Sequence, residues 1–163
     1  MLIRPATSDD CEALCHLYLA FHEFHVQGVP TRLRSLGEPQ THDFTELSQT
    51  LLTLMEREDA ALFVAEHVSE IVGVAEVYVR EDNAHEVTMA YRYGYLQSLM
   101  VSEAHRGQGI GLALVTAVET WAAAQGATEM RLETWEFAAG PLPFSDRAGY
   151  TTLRRTLVRS LES

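Results

Sequence analysis

The chain has 163 residues, of which 12 are Lys or Arg and 23 are Asp or Glu, for a formal net charge of -11 at neutral pH. That length is a prior for a single domain, residues 1–163, burying roughly two-thirds of its unfolded surface; the acidic balance argues against nucleic acid and anionic membranes, and suits a cationic acceptor as well as ordinary solubility. No apolar run approaches the roughly 20 residues that span a bilayer, and no basic-then-apolar segment opens the chain, so a soluble, cytoplasmic protein is expected.

Leu2 to Ala6 reads as a short strand, and Thr7-Ser8-Asp9-Asp10 as a helix cap with an acid three residues after the threonine. The following helix carries Cys11, Leu14, Cys15, Tyr18, Phe21 and His25 on one stripe and stops at Gly28-Val29-Pro30. Cys11 and Cys15 lie one above the other there, a spacing that rarely allows a disulfide, and read as small core hydrophobes. His22 and His25 lack both zincin spacing and a third ligand, so no metal is expected. The stretch from Pro30 to Gln40 reads as a loop. Asp43 to Arg57 reads as a second helix on the spacing of Phe44, Leu47, Leu51, Leu54 and Met55.

Ala61 to Glu66 and Ile71 to Arg80 form a predicted hairpin about a turn near Val68-Ser69-Glu70, rich in Val, Ile and Tyr. Glu76 interrupts the second strand. Alternation places it on a face with Val72, Val74 and Tyr78, as a site residue or at the edge of the core. After a polar connection over 81–90, Tyr91 to Val101 is a third strand, Tyr93, Tyr95 and Gln97 alternating with Gly94, Leu96 and Ser98.

That strand runs into Arg106-Gly107-Gln108-Gly109-Ile110-Gly111. Glycines there let a ligand's oxygens approach the main chain. Ile110, Leu114, Ala117, Val118 and Trp121 continue as one stripe of a helix ended by Gly126, whose first amides form an anion site. A phosphate-bearing ligand fits, but the loop lacks the Gly-Lys-Ser/Thr of a Walker A motif and the third glycine and distal acid of a dinucleotide fingerprint. Glu129 to Trp135 is a further strand, parallel to the last by the crossover rule. Pro141 and Pro143 interrupt the start of a late helix, and Thr151 to Ser160 reads as a closing strand.

The segment VSEAHRGQGIGLALV resembles the acetyl-coenzyme A motif of the GNAT superfamily of N-acetyltransferases, Arg/Gln-x-x-Gly-x-Gly/Ala, with Arg106, Gly109 and Gly111 in its fixed positions. Ile3-Arg4-Pro5-Ala6-Thr7 resembles the family's opening strand, and Phe144 to Tyr150 its late F-Y-x-x-x-G-F segment. The resemblance implies a mixed α/β (α+β) fold, a central, mostly antiparallel sheet flanked by helices. It implies acetyl-CoA as co-substrate, with pantetheine along Leu99, Met100 and Val101 in a splay between the parallel strands, and pyrophosphate at Arg106, Gly107, Gln108, Gly109, Ile110 and Gly111. The first helix and its loop would wall the acceptor cleft, near His22 and His25, which otherwise read as packed or solvated.

Implied partners are a small-molecule or peptide primary amine, attacking the thioester directly, and a possible homodimer, without nucleic acid or membrane. The family's usual tyrosine falls at Ser145 and its asparagine at Ala138, which leaves open a catalytically silent acetyl-CoA-binding domain. Serine is a poor donor to a thiolate, so Tyr95 is the expected acid and Glu76 the expected base for the amine.

Overall fold

In the computed structural model, which describes residues 1–161, strands β1 (Leu2–Pro5), β2 (Ala60–His67), β3 (Glu70–Asp82), β4 (Tyr91–Val101) and β5 (Glu129–Arg131) form one sheet in that order. The first four pair antiparallel, and β4 pairs parallel with β5. Helices α1 (Cys11–Gly28) and α2 (Thr45–Met55) cover one face, and α3 (Ile110–Ala124) covers the other. A short α4 (Leu142–Arg147) follows β5.

Alternation decides the layers. In β2, Leu62 and Val64 join Leu14, Leu17, Leu51 and Leu54 beneath α1 and α2, while Ala61, Phe63 and Ala65 turn toward α3. On the α3 face Ala75, Val77 and Leu96 meet Ile110, Leu114 and Val118. Each large side chain buried this way stabilises by about 1.5–3 kcal/mol. Polar connections are anchored locally: Thr7 N–H donates to Asp10 (2.8 Å), whose carboxylate receives a bidentate Arg4, and Asp43 accepts the Thr45 amide at the entry to α2. Cys11 and Cys15 are free thiols, and burial pushes that of Cys15 up.

Two bulges break strict alternation. The β2–β3 register slips between Ala65 and Glu66, leaving Val72 as the extra residue, so Val72 joins Ala75 and Val77 on the α3 face rather than Val74 and Glu76 as the period-2 reading expected. The β3–β4 register slips between Glu76 and Val77, opposite Gln97. Gln97 and Ser98 consequently line the same cleft, whereas alternation assigned them opposite faces.

The end of the chain departs most from expectation. The strand expected over Glu129 to Trp135 ends at Arg131, and residues 151–161 form no strand. β5 is hydrogen-bonded for three register pairs only, so it offers a sixth strand no straight edge. Leu153, Leu157, Val158 and Leu161 are accordingly exposed. Pro141 and Pro143 occupy the N-cap and first turn of α4, where a missing N–H breaks no helical bond; they start that helix rather than interrupt it.

Candidate active site

The glycine loop presents main chain, not side chains. Gly107 and Gly109 have φ of +76° and +81°, conformations that a Cβ penalises. A Cβ on either would meet nothing within 4 Å, so the loop faces open space. Gly111 has another reason: a Cβ there would lie 3.0 Å from the ring of Phe144, which brings α4 against the start of α3. The first bond of α3 is from Ala113 N–H to the Gly109 carbonyl, 3.0 Å. The amides of residues 107–112 find no acceptor among the described residues, and they carry the positive end of the helix. Such an array suits a pyrophosphate.

Beside this loop the sheet is open. The β4–β5 ladder runs Tyr93↔Glu129, Gly94↔Met130, Tyr95↔Arg131 and ends. A side chain at Gly94 would collide with Met130 Sδ at 2.3 Å and Ala122 at 2.8 Å, so glycine is what lets β5 and α3 close here. Arg131 pins this end through Glu129 (2.6 Å), Asp82 (2.5 Å) and the face of Tyr93 (3.8 Å). Beyond it β4 continues without β5. Ser102 N–H bonds to Val72 on the β3 side, so Leu99 and Val101 direct their main-chain groups the other way, into the wedge. Val101 carbonyl there accepts Arg106 Nε at 3.0 Å, and the guanidinium lies over Phe24.

On the α1 side of the same strand is a cleft of about 550 Å³, whose lining includes Tyr18, Glu76, Tyr78, Arg80 and Gln97. Glu76 is buried and stands opposite Ser98, one residue from the open edge at Leu99. Its carboxylate accepts Tyr18 Oη at 2.5 Å and Tyr78 Oη at 2.7 Å. Burial, reinforced by the Glu76 charge, drives the Tyr18 hydroxyl well above its ordinary range and raises that of Tyr78, so both remain donors. Tyr95 pairs with Tyr78 in the register and shares its face. Its hydroxyl is raised by burial and then by the charge of Glu133, and Arg80 lies 3.9 Å over its ring.

Residues 13–150 match the model of the acetyltransferase (GNAT) family. The chain belongs to the GNAT acetyltransferase family. It is 44% identical over 61 residues, 37% of its own length, to the acetyl transferase GW6a of Oryza sativa subsp. japonica, of which it spans only 15%. Among solved structures, a tetramutant of the BH1408 protein of Bacillus halodurans superposes with a TM-score of 0.86 at 21% identity, over 99% of this chain and all of that one. The aminoglycoside acetyltransferase AAC(6')-Iy, solved with the bisubstrate analogue CoA-S-monomethyl-acetylneamine, gives 0.73 at 17% identity over 99% and 98%. At such identities these likenesses speak for the GNAT fold.

The residues singled out from sequence fall into two groups within this GNAT fold. Leu99 to Val101 lie where β4 continues without β5 and Arg106 to Gly111 in the loop that follows, while Glu76 and Tyr95 lie on the face of the β3–β4 pair that Tyr78 shares. His22 and His25 each lie 2.8 Å from a main-chain carbonyl, of Arg34 and Phe21 respectively, and His25 packs against Phe24. Ser145 is buried, its hydroxyl donating to the Pro141 carbonyl at 3.3 Å inside α4. Sequence reasoning missed Tyr18 as a partner of Glu76, having assigned it to an apolar stripe, and it put Tyr78 on the face of Glu76 without reading the bond between them. Tyrosine on the same face as a strand carboxylate was the available signal, since a buried Oη needs a partner.

Proposed function

We propose that this GNAT domain, taken as residues 1–163, transfers the acetyl group of acetyl-CoA to a primary amine of a small molecule or peptide by direct attack. The observation that carries the reading is the placement of Glu76 opposite Ser98, beside the stretch of β4 whose main chain faces the wedge. Leu99 and Val101 would hold the pantetheine by strand-like hydrogen bonds, with Arg106 released from the Val101 carbonyl, and Met100 between them would keep its main chain on β3. The amides of Gly107 to Gly111, with the Arg106 charge, would hold the pyrophosphate. Comparison proteins solved with CoA or a CoA conjugate support an acyl-CoA ligand.

The chemistry needs a neutral amine. One with pKa about 10.4 is neutral at less than one part in about 10³ at pH 7, whereas an α-amine near 7.7–8.0 is neutral at about the ten-per-cent level. Glu76 takes a proton from the amine, directly or through water, and the tyrosine hydroxyls fix its carboxylate. The nitrogen then bonds to the acetyl carbon, a main-chain N–H of β4 stabilises the developing oxyanion, and as the carbonyl re-forms the C–S bond breaks with its electrons on sulfur while the nitrogen releases its second proton through water to solvent. The sulfur takes a proton from Tyr95 or leaves as thiolate, which a thiol pKa of about 8.5 tolerates.

The deciding experiment follows free-thiol release from acetyl-CoA against a panel of primary amines, beside calorimetric titration with acetyl-CoA, ATP and NAD. Amine-dependent thiol release with selective acetyl-CoA binding is expected. Binding without release by any amine would leave a sensing domain, and preference for ATP or NAD would remove the acyl-transfer reading.

A further inference from the structure

The mouth of the Glu76 cleft contains two guanidinium groups in different electrostatic states. Arg57 is tied to Asp59 by two bonds, 2.8 and 2.7 Å, and presents a neutral pair. Arg80 is exposed and has no carboxylate partner among the described residues, yet its head is fixed: it lies 3.9 Å from the ring centre of Tyr95 and 5.3 Å from that of Tyr78. Stacking on two rings orients the fork; the Tyr95 hydroxyl takes one of its N–H donors and no carboxylate takes the others, an arrangement suited to one planar anion.

Tyr78 connects this cation to the acceptor site. Its hydroxyl donates to Glu76 and its face carries Arg80, so carboxylate and guanidinium stand about one tyrosine apart along the floor of the cleft. An amine nitrogen at Glu76 therefore has a fixed positive group several bonds away along the molecule that bears it. The two bonds separating nitrogen from carboxyl carbon in an α-amino acid are too few to bridge them. With Arg57 occupied by Asp59, a single fork remains, which matches a carboxylate better than a phosphate dianion.

We propose that the acceptor carries a carboxylate several bonds from its reacting amine, as in a short ω-amino acid or a small peptide, and that Arg80 holds that carboxylate. The proposal rests on the reading of Glu76 as the amine's site. It names a substrate class opposite in charge, at this end, to what the acidic composition suggests.

The test compares 6-aminohexanoate with hexylamine, which differ by the carboxylate, as acceptors of the acetyl group. The wild-type protein should favour 6-aminohexanoate in kcat/KM by about tenfold or more, the size of one charge-assisted pair, with the difference in KM. Arg80→Gln should bring the ratio close to one, and Arg80→Lys should recover part of it, since it keeps the charge and loses the fork. A ratio near one in the wild type, or a preference retained in Arg80→Gln, overturns the proposal. Should neither amine be acetylated, the carboxylate site is tested apart from the transferase reading, by titrating the same two compounds calorimetrically into protein saturated with acetyl-CoA. Tighter binding of 6-aminohexanoate, lost in Arg80→Gln, supports the carboxylate site, and equal or absent binding overturns it.

Discussion

Each oxygen of Glu76 receives one tyrosine hydroxyl, and a carboxylate has about four lone-pair sites, so two remain for an amine or a bridging water. Glu76→Gln keeps the shape but places an NH₂ where a hydroxyl must donate; turnover should fall about 10²-fold and the acidic limb of the pH–rate profile should vanish. Ser145→Ala should change turnover little, because its hydroxyl is directed back at Pro141. The reverse pattern, a hundredfold loss in Ser145→Ala with Glu76→Gln near wild type, would overturn both roles. The tyrosines also link stability to pH. Their hydroxyl pKa values are raised on folding above the unfolded value of about 10, so the stability they add is complete below pH 10 and is lost as pH rises beyond it. Melting temperature should drop steeply above about pH 10, and less steeply in Tyr18→Phe. Equal slopes in the two proteins would mean that Tyr18 titrates alike in both states.

At the scale of elements, the glycine loop was legible because its chemistry is written in residue type: positive φ at Gly107 and Gly109 needs glycine. Replacing Gly109 by Val puts a branched side chain at φ +81° into the open space before the amides, with about 1–3 kcal/mol of backbone strain. Acetyl-CoA binding should be abolished while the circular dichroism stays that of a folded protein. Arg106→Ala should weaken binding less, since the amides remain. A folded Gly109→Val protein binding with unchanged affinity would misplace the site. The bulges at Val72 and Gln97 were not legible, because one extra residue in a ladder is a property of two strands together, and neither sequence alone carries it. That is why the face of Val72 was misread while Glu76, beyond the slip, was placed correctly beside Tyr78. The prolines of α4 show the converse: one residue type stops a helix or starts it according to which turn it occupies.

At the scale of the molecule, the β2–β3 hairpin and the parallel β4–β5 pair follow from local periodicities and the crossover rule, and the sheet flanked by helices from the family resemblance, whereas residues 151–161 show how far such patterns reach. Thr151 to Ser160 has strand-like composition, but a strand needs an edge, and the edge of β5 is set by Arg131, Asp82 and Gly94 far away in sequence. Charge also acts at this scale. The net charge of -11 surrounds a cleft where Arg57 cancels Asp59 and Arg80 opposes Glu76, so long-range attraction of a cation comes from the whole surface and not from the mouth. That attraction is screened as the Debye length shrinks from about 30 Å at 0.01 M salt to about 3 Å at 1 M. The KM for a simple cationic amine such as hexylamine should therefore rise severalfold over this range with kcat unchanged. 6-Aminohexanoate has no net charge to be steered, so its KM should rise less, through screening at Arg80 alone. Parallel salt curves for the two compounds would show that the surface charge is not felt at the cleft, and a flat curve for hexylamine would remove steering from the account of acceptor binding.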